Sequence, residues 1–283
     1  MTNEIFQNTL SLLYVNREDN SIKNDYGKTC LIGGSVKYPH AISLAASLSS
    51  VSGVGFTAVE VLQEIYPIVA SKLYLTQIFE FSKDPDDLNQ TYSSILFGNG
   101  MEENKENQEF LTSLLLSYEH ELIIDATGLS LLSKEALHSH KGNILLTPHL
   151  GEARKLLQVD KKSRDSKDYL EETIAFCKSE RVSILLKSSS SILVNEKGEV
   201  YESSYPPCPG LAKAGSGDGL AGYLAGLLAY GTKKEKRENL ILFGDEMIHR
   251  AALRAAKQYS SGIVDILYAK EEIVKIIEER RTK

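Results

Sequence analysis

The chain has 283 residues, which at about 150 residues per domain leaves one large or two small domains open. Its 42% hydrophobic and 25% charged residues are a globular balance and exclude disordered, collagenous and fibrous classes. The formal charge is −6 and the basic residues are scattered or held in short runs such as 233–237, so no cationic face for nucleic acid is expected. Glu4 precedes any basic residue, with no long apolar segment behind it, and the uncharged stretch 219–232 is short and broken by four glycines. A soluble, cytoplasmic protein with no membrane partner is expected. Cys30, Cys177 and Cys208 lie far apart, fit neither a disulfide framework nor a zinc pattern, and read as inert thiols.

Short β-branched and apolar runs alternate with stretches of helical period, the pattern of parallel βαβ units. In chain order the sequence predicts a strand at 28–32, a helix at 41–51, strands at 56–61 and 94–97, a helix at 104–118, and strands at 121–125 and 143–146. Helices at 151–157 and 167–180, strands at 182–187 and 192–195, and helices at 217–229, 239–259 and 271–280 complete the order. The segment 79–90, with Asp84, Pro85, Asp86 and Asp87, reads as a polar surface connection. The alternation continues through the middle of the chain, so a single three-layer αβα domain over 1–283 with a mostly parallel central sheet is expected. In such sheets ligands sit beyond the carboxyl ends of the strands.

Two nucleotide signatures are rejected. Gly27-Lys28-Thr29 ends like a P-loop, but Ile22 stands where the first glycine belongs and the tripeptide precedes its strand. Gly98-Asn99-Gly100 follows a strand, yet Glu103 takes the place of the third glycine of a dinucleotide fingerprint. The strongest signal is Ala214-Gly215-Ser216-Gly217-Asp218-Gly219. Gly215 and Gly217 free the backbone to curl, and the following helix presents unpaired N–H groups, so Ala214 to Gly217 can cradle an oxyanion or phosphate. Gly217, with no side chain, lets backbone approach that anion. Asp218 could merely complement the helix dipole, but behind two flexible residues it is better placed as a base or metal organiser. Leu220, Leu224, Leu227 and Leu228 form an apolar face of that helix, and Gly219, Gly222 and Gly226 a face without side chains, so burial on two sides is expected.

Pro148 fixes a turn after the strand at 143–146 and sets His149 and Glu152 at the mouth of the sheet, where a histidine can meet substrate. Lys187 and the run Ser188, Ser189, Ser190 and Ser191 read as a hairpin whose hydroxyls and amides can meet phosphate or ribose. Asp125 ends another strand and is a weak signal for a metal or a water. Gly33-Gly34-Ser35 and the small-residue helix starting at Ala41 read first as close packing.

In order, GKTCLIGGS with YPHAISLAA, SGVGFTAV, LFGNG, IIDATGL, LLTPHLGEARKLL, ILLKSSSSI and AKAGSGDGLAG resemble the ADP/ATP-dependent NAD(P)H-hydrate dehydratase family of the ribokinase-like fold, over most of the chain from about Tyr26. The resemblance implies repair of hydrated NADH and NADPH by phosphorylation of the C6 hydroxyl and elimination of phosphate, with ADP or ATP as donor and Mg2+ as cofactor. It implies that Asp218 is the catalytic base, that Ala41, Gly98, Gly100, His149 and Asp218 contact the hydrate, and that Lys187 to Ser191 with Gly217 bind the nucleotide. No residue is assigned to a metal. By family analogy the protein is a homo-oligomer, a tetramer, and the fused epimerase domain of some relatives finds no room here, so a separate epimerase is expected. The chain departs from the family pattern with Asp125-Ala126-Thr127 for DAD, Leu186-Lys187-Ser188 for LKG, Phe97-Gly98-Asn99-Gly100 for PGLG, and Leu150 for a proline. A ribokinase-like kinase of hydroxymethylpyrimidine or hydroxyethylthiazole type stays open at this point, as does a nucleotide-binding regulator without turnover, although a pure binder has no need of Asp218.

Overall fold

Runs such as Thr29-Cys30-Leu31-Ile32 and Ser94-Ile95-Leu96-Phe97 carry no outward polar face, so their strands must lie between two helical layers. The computed structural model describes residues 1–160, 162–203 and 205–281. Its strands are β1 (Lys28–Ile32), β2 (Phe56–Val61), β3 (Gln77–Glu80), β4 (Ser94–Phe97), β5 (Glu121–Ile124), β6 (Asn143–Leu146), β7 (Ser183–Leu186), β8 (Ile192–Val194) and β9 (Val200–Glu202). They form one sheet in the order β3-β2-β1-β4-β5-β6-β7-β8-β9, parallel as far as β7 and antiparallel for β8 and β9. The helices are α1 (Asn3–Leu13), α2 (Ala41–Ser49), α3 (Tyr66–Ala70), α4 (Pro85–Thr91), α5 (Lys105–Ser117), α6 (Thr127–Ser130), α7 (Lys134–His138), α8 (Leu150–Leu156), α9 (Leu170–Glu180), α10 (Ser216–Gly231), α11 (Arg237–Gln258) and α12 (Ile266–Arg281).

Side-chain alternation along the strands divides the core in two. Leu31, Leu96, Ile123, Leu145 and Leu185 face α1, α2, α10, α11 and α12. Ile32, Phe97, Ile124, Leu146 and Leu186 face α5, α8 and α9. The expected three layers and mostly parallel sheet are those of the structure. Strand order reverses at β1, whose neighbours are β2 and β4, which opens a crevice above their carboxyl ends.

The segment 79–90 corrects the sequence reading. Phe79 and Glu80 close β3, and Pro85 begins α4. As an edge strand β3 is largely exposed and lacks the doubly apolar signature, while Asp84 accepts the amides of Asp86 and Asp87 as a helix N-cap rather than as part of a loop. The helix expected at 271–280 begins at Ile266, and α1, α3, α6, α7 and β9 are additions. Cys30, Cys177 and Cys208 are free and buried. Among the described residues no helix is long and apolar enough to cross a membrane.

The glycine face of α10 presses against α2. A Cβ on Gly222 would stand 2.0 Å from the Ala45 carbonyl oxygen, and one on Gly226 2.0 Å from Ser52 Oγ. Gly222 lets the two backbones meet, and Gly226 makes room for the side chain of Ser52 just past the end of α2. They bring the first residue of α2, Ala41, and the head of α10 to the same end of the sheet.

Candidate active site

The loop after β4 is folded back by Gly98 (φ +118°) and Gly100 (φ +70°), both in backbone conformations open to glycine. A Cβ on Gly98 would stand 2.2 Å from the Asp125 carbonyl oxygen, and one on Gly100 2.7 Å from the Ala41 Cβ. Ala41, Gly98 and Gly100 therefore share one wall of the crevice. Between the two glycines Asn99 is fully buried, and its carbonyl accepts the Gly34 amide at 2.8 Å.

Asn99 Nδ2 donates to Asp218 Oδ1 at 2.7 Å and to Asp125 Oδ2 at 2.9 Å. Asp125 Oδ1 receives Lys187 Nζ at 2.6 Å and Thr147 Oγ1 at 2.8 Å. The ends of β4, β5, β6 and β7 and the head of α10 thus meet in one polar chain. Both oxygens of Asp125 are engaged in this network. Among the described residues no group of three or more His, Cys, Asp or Glu could hold a metal. Ala126, next in sequence, has φ +51°, a strained conformation for an alanine at the edge of the crevice.

At the head of α10 the left-handed residue is Gly215 (φ +90°), the N-cap; Gly217 is already helical. This refines the expected curl, because only Gly215 needs glycine's backbone freedom. Gly217 instead clears space, as a Cβ there would stand 3.3 Å from Lys187 Nζ. Lys187 therefore lies over the first turn of α10, where free amides and an ammonium converge on one point. Ser216 Oγ is buried there without a hydrogen-bond partner, and Ala214 is exposed beside it. An anion with several acceptor oxygens fits this donor set.

Beyond that turn runs a cleft of about 370 Å³ whose lining includes His149, Lys187, Ser188, Ser191, Lys213 and Gly217. On one wall buried Asp245 accepts Ser203 Oγ at 3.1 Å, Ser191 Oγ at 3.3 Å and the Tyr205 hydroxyl at 2.5 Å. The Tyr205 ring stacks on His249 with centroids 3.8 Å apart. The serine run is split: Ser188 Oγ accepts the Ser190 amide, Ser189 and Ser190 stand exposed at the hairpin tip, and Ser191 is buried. His149 caps α8, its Nδ1 accepting the amides of Gly151 and Glu152, which leaves Nε2 to carry the proton.

Burial pushes the Asp218 carboxyl above the usual carboxylate range; the Asn99 hydrogen bond and Lys187 oppose this, while Asp125 and Glu152 add to it. Burial alone would lower Lys187, but Asp125, Glu152 and Asp218 outweigh it and hold its ammonium above the ordinary lysine value. The structure thus gathers Asp218, Gly217, Lys187, Ala41, Gly98 and Gly100, keeps His149 and Ser191 on the cleft, and leaves Ser189 and Ser190 at its rim. Sequence reasoning missed Asn99, Tyr205, Asp245 and His249. Asp245 and His249 had a readable signal, since Asp245-Glu246 and His249-Arg250 put two polar pairs four residues apart in a helix whose flanks, Leu240 to Phe243 and Ala251 to Leu253, are apolar.

The sequence profile of the Carb_kinase family, described as NAD(P)H-hydrate dehydratase, matches residues 29–277. The ADP-dependent (S)-NAD(P)H-hydrate dehydratase of Streptococcus pneumoniae is 27% identical over 232 residues, 79% of this chain and 78% of that protein. The bifunctional NAD(P)H-hydrate repair enzyme Nnr of Moorella thermoacetica is 28% identical over 231 residues, 77% of this chain and 43% of that protein. The chain therefore spans about half the length of such bifunctional relatives. Among solved structures, the ADP/ATP-dependent NAD(P)H-hydrate dehydratase of Bacillus subtilis, co-crystallized with ATP/Mg2+, matches with a TM-score of 0.83 at 21% identity, covering 97% of this chain and 96% of that one. With the three-layer architecture and the order of motifs, the profile match over most of the sequence settles the assignment: this chain belongs to the NAD(P)H-hydrate dehydratase family, on a ribokinase-like fold.

Proposed function

We propose that the protein dehydrates hydrated NADH and NADPH at the expense of ADP or ATP. The observation that carries this reading is the Asp218 carboxylate at the head of α10, held by Asn99 beside the Gly98/Gly100 wall and one residue from the turn where Lys187 meets Gly217. The hydrate lies against Ala41, Gly98 and Gly100, with the exposed His149 ring at its far side. The nucleotide lies along the cleft of Lys187, Ser188 and Ser191, bordered by Ser189 and Ser190, its terminal phosphate on the amides of Ala214 to Gly217. Asp218 takes the proton of the C6 hydroxyl as that oxygen bonds to the terminal phosphorus and the shortened nucleotide leaves. The C6–O bond then breaks, phosphate departs, and loss of the neighbouring C5 proton restores the double bond. Lys187 and the α10 amides meet charge on the transferring phosphoryl group, and the positions of the two walls set the in-line approach. Mg2+ travelling with the nucleotide's phosphates needs few protein ligands, and it would neutralise part of their charge.

The names of the relatives support the substrate and donor, and the orphaned Ser216 Oγ supports an anion at the turn. On this reading 1–283 acts as one unit, functionally linked to an epimerase. Self-association, a tetramer by analogy, has support in Tyr74 and Leu75, 94% and 87% exposed beside the open edge of β3, and sedimentation would measure it. The decisive experiment incubates the protein with hydrated NADH, magnesium and either ADP or ATP and follows reduced-nicotinamide absorbance. Recovery only with nucleotide is expected; turnover of a thiazole or pyrimidine alcohol with no action on the hydrate would overturn the proposal.

A further inference from the structure

Among the described residues the Asn99 side chain is the one amide that hydrogen-bonds both Asp218 and Asp125. Its Nδ2 gives one hydrogen to Asp218 Oδ1 at 2.7 Å and the other to Asp125 Oδ2 at 2.9 Å, while its own Oδ1 is buried without a partner. That arrangement fixes the orientation of the amide. Turned over, it would set Oδ1 against two carboxylate oxygens and forfeit two charge-assisted hydrogen bonds, so the orphaned oxygen is the consequence of aiming both hydrogens at charge. The backbone beneath it is fixed too, by positive-φ glycines on both sides and by the bond from the Gly34 amide to the Asn99 carbonyl. A side chain whose only task was to fill space would not need two donors there.

We infer that Asn99 is a positioning residue for Asp218, holding Oδ1 so that Oδ2 is the oxygen that receives the substrate proton. The inference rests on the proposed reading of the site. Among the described residues nothing donates a hydrogen bond to Asp218 Oδ2, which leaves that oxygen for the hydroxyl. Asn99 also favours the ionised carboxylate against the groups that oppose it, Asp125 at the end of β5 and Glu152 on α8, and in this it acts with Lys187 at the end of β7. Because Asp125 is itself pinned by Lys187 and Thr147, the amide transmits the rigidity of three strand ends to a residue on α10.

The test compares wild type with Asn99→Leu, which keeps the side chain's size, removes both donors and restores the leucine of the family's PGLG pattern, so that it asks whether this chain, with Thr127 where the family has its second acid, has come to depend on the amide; the readout is steady-state kinetics with hydrated NADH, ADP or ATP and magnesium across pH. The variant is expected to lose about 10- to 100-fold in kcat, as misplacement of a catalytic group does, while KM for the nucleotide stays near wild type. Its acid limb should move to higher pH, because the ionised Asp218 has lost a donor. Asn99→Ser, whose short hydroxyl cannot reach both carboxylates, should shift the limb the same way and serves if the leucine variant does not fold. A wild-type acid limb and kcat in a folded Asn99→Leu or Asn99→Ser protein overturn the inference alone. Absence of hydrate turnover by the wild type with either nucleotide overturns the reading of the site, and this inference with it.

Discussion

Asp218 is a carboxylate placed where a carboxylate is disfavoured: partly buried, with Asp125 and Glu152 near, and its proton affinity raised in consequence. On the proposed mechanism Asp218→Asn keeps the shape and the Asn99 contact but cannot accept a proton, so turnover should fall about 10² to 10⁴-fold while ADP and ATP binding persist by calorimetry. The same variant carries a stability prediction of opposite sign. A carboxyl whose folded pKa lies above its unfolded one contributes stability below the unfolded value and loses that contribution as pH rises through the folded value. At neutral pH the ionised Asp218 therefore opposes folding, and Asp218→Asn should melt at a higher temperature than wild type at pH 7, the gap closing towards pH 4; an equal or lower Tm at pH 7 would contradict this. The place of Asp218 was legible because the glycines ahead of it mark a helix start at the mouth of the sheet. Asn99 was not, since an asparagine between two glycines reads as turn chemistry, and only the fold brings it against Asp125 and Asp218.

Elements buried on both sides were the ones the sequence displayed. β1, β2, β4 and β6 have the bounds expected, and the hairpin around Lys187 to Ser191 joins β7 to β8 as read. β3 and β9 escaped because edge strands are short and wetted, while α1 did carry a helical signal that went unread, with Phe6, Leu10 and Leu13 spaced on one buried face. The head of α10 was placed correctly but with the roles of its glycines confused. Gly215 makes the left-handed turn and Gly217 stands aside for Lys187 Nζ, so Gly217→Val is expected to weaken ADP and ATP binding at least about tenfold by filling the space over the first helical turn, not by straining the backbone. Circular dichroism should be unchanged. Wild-type affinity in the folded variant would place the phosphate elsewhere.

At the scale of the molecule, the two cores lie on opposite faces of one sheet, and α1 seals the first of them. Phe6 is 1% exposed and packs tilted against Phe243 of α11 with ring centroids 4.9 Å apart, although α1 lies outside the 29–277 family match. Phe6→Ala should cost about 3–5 kcal/mol in urea denaturation, because the layer beneath cannot close the gap without moving α11, while leaving the geometry at Asp218 intact. The glycine contact between α10 and α2 has a further consequence, for movement. Two helices that touch backbone to backbone at Gly222 and Ala45 can neither roll nor slide past each other without collision, so Ala41 and Asp218 travel as parts of a single stiff block. Traffic of ligands in and out falls to the borders that carry no such contact, the exposed hairpin tip at Ser189 and Ser190 and the turn that His149 caps. Hydrogen exchange should show it: amides of α10 from Gly222 to Gly226 should open only when the whole protein unfolds, and those of Ser189 and Ser190 should exchange orders of magnitude faster and slow when nucleotide is bound.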